Sequence, residues 1–172
     1  MAVGVRALSV GRSGWGCGVH IVLVEPEIHM NAGNVGRSCA VTGSTLHLVK
    51  PLGFSLADRY LKRAGLDYWP LIDLHVHDSW DEIVDLAPVD SMHLFTARSE
   101  CSYTDVHYQP QDWLIFGRES VGLPQTLLDA FADRTRRIPM RPVTGARSLN
   151  LSNAVVIALY EALRQQEFPG LR

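Results

Sequence analysis

Cysteine is scarce in this chain: Cys17, Cys39 and Cys101 are the three present, far apart and forming no CxxC pair. That excludes a disulfide framework or a zinc knuckle and fits a reducing compartment. Long apolar runs are missing too. No stretch reaches the roughly 18 residues of a membrane helix, so no span is expected. Acids are absent before Glu25, and residues 1–18 hold five glycines, two serines and two arginines. Arg6 interrupts the only apolar run there, which argues against a secretory signal. The segment reads as a flexible tail, with an organelle transit peptide as the alternative, because it is basic and acid-poor. A P-loop is absent. Gly14, Gly16 and Gly18 precede the first apolar run and have the wrong third spacing, so they are not a dinucleotide fingerprint, which must follow a strand and open a helix.

What remains is an ordinary globular composition, 47% hydrophobic and 20% charged over 172 residues. It suits one domain, expected over 19–168 between tails at 1–18 and 169–172, and a cytoplasmic location. The net charge of −2 is unevenly spread. Between Gly65 and Thr96 lie seven acids and no lysine or arginine; between Arg134 and Tyr160 lie five arginines and no acid. A polyanion would be drawn to the second region, unless both are merely solvated faces.

The apolar pattern alternates strand and helix. VHIVLVEP (19–26) is a continuous run suited to a strand buried on both faces. A helix near 33–43, a strand at 45–51, a helix near 56–64 and a strand near 70–77 are expected next. Ser79 and Glu82 form an S-x-x-E capping box ahead of the helix WDEIVDLA. Strands at 91–97 and 112–117 follow, then a short helix with Pro124 as its first residue. A last strand at 136–140 and a closing helix at 151–167 complete the chain. This is the signature of an α/β fold with a parallel sheet and helices on both faces. The closing helix carries Leu151, Ala154, Val155, Ala158, Leu159, Ala162 and Leu163 on one face. Val156, Ile157 and Tyr160 widen that stripe, which implies a second partner surface, as in a symmetric dimer, or deep burial in one subunit.

Three polar, glycine-bearing segments follow strand ends, where open α/β sheets place ligands: NAGNVGR (31–37), FGRESVGLP (116–124) and PMRPVTGARSLNLSNA (139–154). In the first, Gly33, Gly36, Ala40 and Gly43 make a small-residue strip suited to close backbone approach, and Asn31 is a candidate helix cap. His75 and His77 have no further ligand at metal spacing and read as ordinary strand residues, so no metal site is expected.

In order and spacing the three segments resemble the motifs of the SPOUT family of RNA methyltransferases, over about residues 19–168. RAGLDYW (63–69) and SLNLSNA (148–154) resemble its minimal single-domain branch, which methylates the ribose 2′-hydroxyl of nucleotide 34 in transfer RNA. The resemblance implies a C-terminal trefoil knot, a homodimer, S-adenosyl-L-methionine as cofactor and the tRNA anticodon stem-loop as partner. It implies that Ala97, Gly117, Ile138, Ser148 and Leu149 surround the cofactor, with glycine at 117 letting backbone meet ligand. Arg37 matches the family's catalytic arginine. Asn31, Asn34, Arg118, Arg147, Asn150, Ser152, Asn153 and Tyr160 become candidates for contacting RNA, although the asparagines read equally well as caps. His29 and Met30 stand where prolines are common, and Ala32 and Gly36 are smaller than usual, which bears on loop stiffness and substrate preference. The alternatives are a relative that methylates another tRNA or ribosomal position, and a non-catalytic RNA-binding or assembly module on the same fold.

Overall fold

The computed structural model describes residues 18–56, 69–144 and 148–172. Most of the tail at 1–18, most of the helix expected near 56–64, the RAGLDY part of the branch motif, and Arg147 lie outside the described residues. Six strands form one parallel sheet: β1 (His20–Val24), β2 (Thr45–Val49), β3 (Leu74–His77), β4 (Met92–Phe95), β5 (Trp113–Phe116) and β6 (Thr135–Arg136), in the order β3-β2-β1-β5-β4-β6. Among the described residues the helices are α1 (His29–Thr42), α2 (Trp80–Leu86), α3 (Gln125–Ala130) and α4 (Leu151–Gln165).

The period of two along each strand divides the core. Ile21, Leu23, Leu46, Leu48, Leu114 and Phe116 face one side, under α1 and α4. Val22, Val24, Met92, Leu94, Trp113 and Ile115 face the other, with Ile83 of α2 and Leu128 of α3. The central strands read as unbroken apolar runs because both faces are covered. Each fully buried Leu or Val side chain contributes roughly 1.5–3 kcal/mol. In α4, Val155, Ala158, Leu159, Ala162 and Leu163 are buried, while Val156 and Ile157 are half-buried and Tyr160 is 43% exposed.

Several local expectations differ from what is observed. β4 and β5 follow one another with no helix between them, as the successive strands at 91–97 and 112–117 imply, which interrupts the general alternation. Ser79 does stand at the N-cap of α2, but its hydroxyl accepts no capping bond. Glu82 reaches back to the Asp78 N–H (3.3 Å) with one oxygen while the other meets His77 Nδ1 at 3.1 Å, so only a displaced half of the box forms. Pro124 is the N-cap of α3 rather than its first turn. β6 ends at Arg136 because Arg137 turns to pair with the connection after β4: its N–H donates to Cys101 O (2.8 Å) and its carbonyl accepts from Tyr103 N (2.9 Å). At Gly36 the strip makes room for a side chain: a Cβ there would meet Ile72 Cδ1 at 2.6 Å. Gly43 lies outside it, as the left-handed C-cap of α1 (φ 68°).

Two of the five basic-region arginines are structural. Arg136 is buried and donates from Nε to His93 Nδ1 (3.3 Å), while His93 Nε2 faces Asp112 Oδ2 at 3.0 Å, tying β6 to β4 and β5. Arg134 pairs with Asp90.

Candidate functional site

The strand order reverses direction at β1 and β5, and ligands of open α/β sheets bind beyond the carboxyl ends of strands at such a point. The segment after β1 and the turn after β5 meet there. Glu25 leaves β1 with a left-handed backbone (φ 53°), a costly conformation for a residue with a side chain, and its carboxylate pairs with Arg118. Ser120 donates twice to Glu27, from N to Oε2 (3.0 Å) and from Oγ to Oε1 (2.9 Å).

Glu119 is the centre of the junction. Its Oε2 accepts the Glu27 N–H at 2.8 Å, and its Oε1 accepts from Ile28 N (3.2 Å) and Asn31 Nδ2 (3.0 Å). α1 needs such a partner, since its N-cap is Ile28, with no capping side chain and no acid in the first turn. A carboxylate at that end also faces the positive pole of the helix. Asn31 is therefore not a cap: it lies inside α1, 5% exposed, and its Oδ1 accepts from Asn150 Nδ2 at 3.0 Å. Asn150 is a cap, that of α4, accepting through Oδ1 from Ser152 N (2.9 Å), Ser152 Oγ (2.7 Å) and Asn153 N (3.4 Å). One chain of contacts, Glu119–Asn31–Asn150, thus joins all three glycine-bearing segments.

The turn after β5 is closed on itself. Arg118 N donates to Gly122 O (3.2 Å) and Gly122 N to Arg118 O (2.9 Å). A Cβ on Gly117 would lie 2.1 Å from Gly122 C and 2.2 Å from Leu123 N. The glycine is thus required by its own turn.

Ala97, Gly117 and Ile138 follow the carboxyl ends of β4, β5 and β6, three neighbouring strands, and Thr96 N donates to Arg136 O (2.9 Å) across that edge. Ser148 and Leu149 are exposed just before Asn150. Asn34 and Arg37 stand on the exposed side of α1, one turn apart, beyond Asn31. Asn153 is exposed and Ser152 is buried in the cap of α4. Tyr160 is not brought to the junction within one subunit, because ten residues of helix put it about 15 Å along α4 from Asn150.

Glu25, Glu27, Glu119 and Ser120 did not stand out in the sequence. The available signal was negative: a helix starting HMN, without Ser, Thr or Asp at its cap, needs an acceptor from elsewhere. Replacing Asn150 by Ala is expected to cost about 1–2 kcal/mol through the lost cap. That corresponds to a melting temperature lower by roughly 2–8 °C, measurable by calorimetry.

The chain is similar to known proteins over nearly its whole length. It is 49% identical over 154 residues to the tRNA (cytidine(34)-2'-O)-methyltransferase of Burkholderia pseudomallei, covering 88% of this chain and 97% of that one. A solved structure described as giving insight into the 2-OH methylation of C/U34 on tRNA superposes with a TM-score of 0.79 at 47% identity, covering 88% of this chain and 98% of that one. The SpoU methyltransferase AviRb from Streptomyces viridochromogenes, solved in complex with the cofactor AdoMet, shares the fold (TM-score 0.75, 22% identity, 91% of this chain and 60% of that one). A model of the SpoU rRNA Methylase family matches residues 18–160, from the entry to β1 to well into α4. With that match and relatives of such identity, the chain belongs to the SpoU rRNA methylase family.

Proposed function

We propose that this chain transfers a methyl group from S-adenosylmethionine to the ribose 2′-hydroxyl of nucleotide 34 in transfer RNA, acting as a cytoplasmic homodimer. The observation that carries the reading is the Glu119–Asn31–Asn150 junction, which ties the turn after β5 and the cap of α4 to the start of α1 and its exposed Asn34–Arg37 side. The relatives' names supply the reaction and the nucleotide.

The loops fit a nucleoside-sized cofactor. Val121 (71% exposed), Met140 (38%), Val143 (55%) and Leu149 (38%) offer apolar surface among loops otherwise rich in polar backbone, the mixture small-ligand sites use. Ala97, Gly117, Ile138, Ser148 and Leu149 would hold it, and when bound it supplies a methyl group on an electrophilic sulfonium. The rest is the work of the chain. A guanidinium has no lone pair to offer as a general base, so the part of Arg37 is that of a donor. Its N–H groups clamp a substrate phosphate and stabilise the oxygen as negative charge develops there. The hydroxyl proton leaves to that phosphate or to water. Alignment of the ribose by Asn34, Arg118, Arg147 and Asn153 provides the remaining acceleration. Asn31, Asn150 and Ser152 hold the loops that carry these groups.

α1, which packs against α4, exposes Met30 (65%) and Val41 (63%), with Ile28 (46%) at its N-cap, and α4 carries the half-buried Val156 and Ile157 and the exposed Tyr160. This face supports a symmetric dimer in which α4 gains its second surface. The strand order, with β6 at the far edge and α4 returning to α1, supports the knotted passage expected for the family.

Incubation with methyl-labelled S-adenosylmethionine and bulk transfer RNA tests the reading. A nuclease-resistant 2′-O-methylated dinucleotide mapping to position 34 is expected. Label on a base, or on another ribose, would replace it.

A further inference from the structure

Across β1, β2 and β3, on the side of the sheet that carries α2 and α3, three imidazoles form one hydrogen-bonded chain. His20 Nδ1 lies 3.0 Å from His47 Nε2, and His47 Nδ1 lies 2.9 Å from His77 Nε2. Both ends of the chain meet acceptors. His20 Nε2 is 3.3 Å from Gln111 Oε1, and the Gln111 amide nitrogen is committed to the Gly18 carbonyl at 2.8 Å. His77 Nδ1 is 3.1 Å from Glu82 Oε2.

Counting hydrogens exposes a mismatch. Four gaps need four N–H groups, and three neutral imidazoles carry one each. All four contacts form together only when one further proton is present. Without it, the rings can turn every N–H toward Glu82, which leaves bare nitrogen facing oxygen at Gln111. We propose that His20, His47 and His77 form a binding site for one proton, whose occupancy decides whether Gln111 stays clasped between His20 and Gly18. Uptake adds one proton from solvent at His20 Nε2; the protons on His20 Nδ1 and His47 Nδ1 pass to His47 Nε2 and His77 Nε2, so each N–H bond broken along the chain is matched by one formed and the added charge ends beside Glu82.

The surroundings direct the charge to the Glu82 end. Burial, then the facing rings of His20, His75 and His77, push His47 down to about 2, and burial also lowers His20. His77 is the ring with a carboxylate beside it. The other charged groups nearby are occupied: Asp73 of the β3 entry with His75 (3.1 Å) and Thr45, and Lys50 after β2 with Asp78 (2.6 Å). From β5 the neighbour is uncharged, Trp113 stacked on His20 at 4.2 Å.

The test is a pH titration of the folded full chain by nuclear magnetic resonance, following histidine ring nitrogens together with the Gln111 and Gly18 amides. The His77 ring and the Gly18 amide are expected to share one midpoint. Gln111→Ala removes an end acceptor from an exposed position, so proton affinity should fall roughly three- to tenfold, one hydrogen bond's worth. Glu82→Gln supplies a donor to His77 Nδ1; three neutral rings then suffice, and the linked transition at Gly18 should vanish. Rings that titrate separately, a Gly18 amide indifferent to pH, or an unchanged midpoint in Gln111→Ala would each overturn the proposal.

Discussion

Arg37→Ala is expected to lower the single-turnover rate of ribose methylation by about 10²–10³-fold, the usual consequence of losing one preorganised donor to a developing oxyanion. Arg37 is exposed on α1 and is not among the residues assigned to hold the cofactor, Ala97, Gly117, Ile138, Ser148 and Leu149. Calorimetric binding of S-adenosylmethionine should therefore be nearly unchanged in the variant. The split between lost turnover and retained binding is the informative result, because a folding defect would lower both. Arg37→Lys should recover little, since an ammonium lacks the planar fork that grips phosphate and hydroxyl oxygen together. A variant that turns over like the wild type would remove Arg37 from the chemistry.

Glu119→Ala should have the largest effect on stability and a comparable effect on activity. The substitution strips acceptors from two backbone N–H groups and from the buried Asn31 amide, which itself holds Asn150. Leaving such donors unpaired costs about 1–3 kcal/mol each where burial is complete. Glu27 N and Ile28 N are partly open to water, so a total near 3 kcal/mol is expected. That lowers the melting temperature by roughly 6–12 °C for a chain of this size. Methylation should fall even at temperatures where the variant stays folded, because Asn31 and Asn150 lose their common anchor. Glu119→Gln keeps the shape and two acceptor lone pairs but turns an amide toward backbone donors, so an intermediate loss is expected.

The elements were legible where one force dominated. β1 reads as a continuous apolar run because it lies at the centre of a sheet covered on both faces, and the buried Val155, Ala158, Leu159, Ala162 and Leu163 of α4 all fall on its expected stripe. The strand order was not legible, since periodicity says which face a residue takes and nothing about which strand is its neighbour. β6 is shorter than its apolar stretch suggests because Arg137 finds its backbone partners in the connection after β4.

For the site, the glycine-bearing segments could be located but not what links them. Asn31 looked like a cap from its position before small residues, yet the turn is entered three residues earlier, at Ile28, and the asparagine faces inward. Glu119 was hidden because its partners lie 88 to 92 residues away in sequence. Charge patterning overstated the basic face: Arg134 and Arg136 serve Asp90 and His93. His77 read as an ordinary strand residue, and its chain of rings became visible only once β1, β2 and β3 lay side by side.

The central claim is that the turn after β5, the stretch after β6 and the cap of α4, separated in sequence, make one cofactor site at the carboxyl edge of β5, β4 and β6. Hydrogen exchange with and without S-adenosylmethionine tests it most directly. The account predicts that the cofactor slows exchange together in residues 117–123, 137–144 and 148–153, and leaves the cleft of His20, Gln111 and Trp113 at the other end of the strands unchanged. Protection confined to that cleft, or to one loop alone, would contradict it.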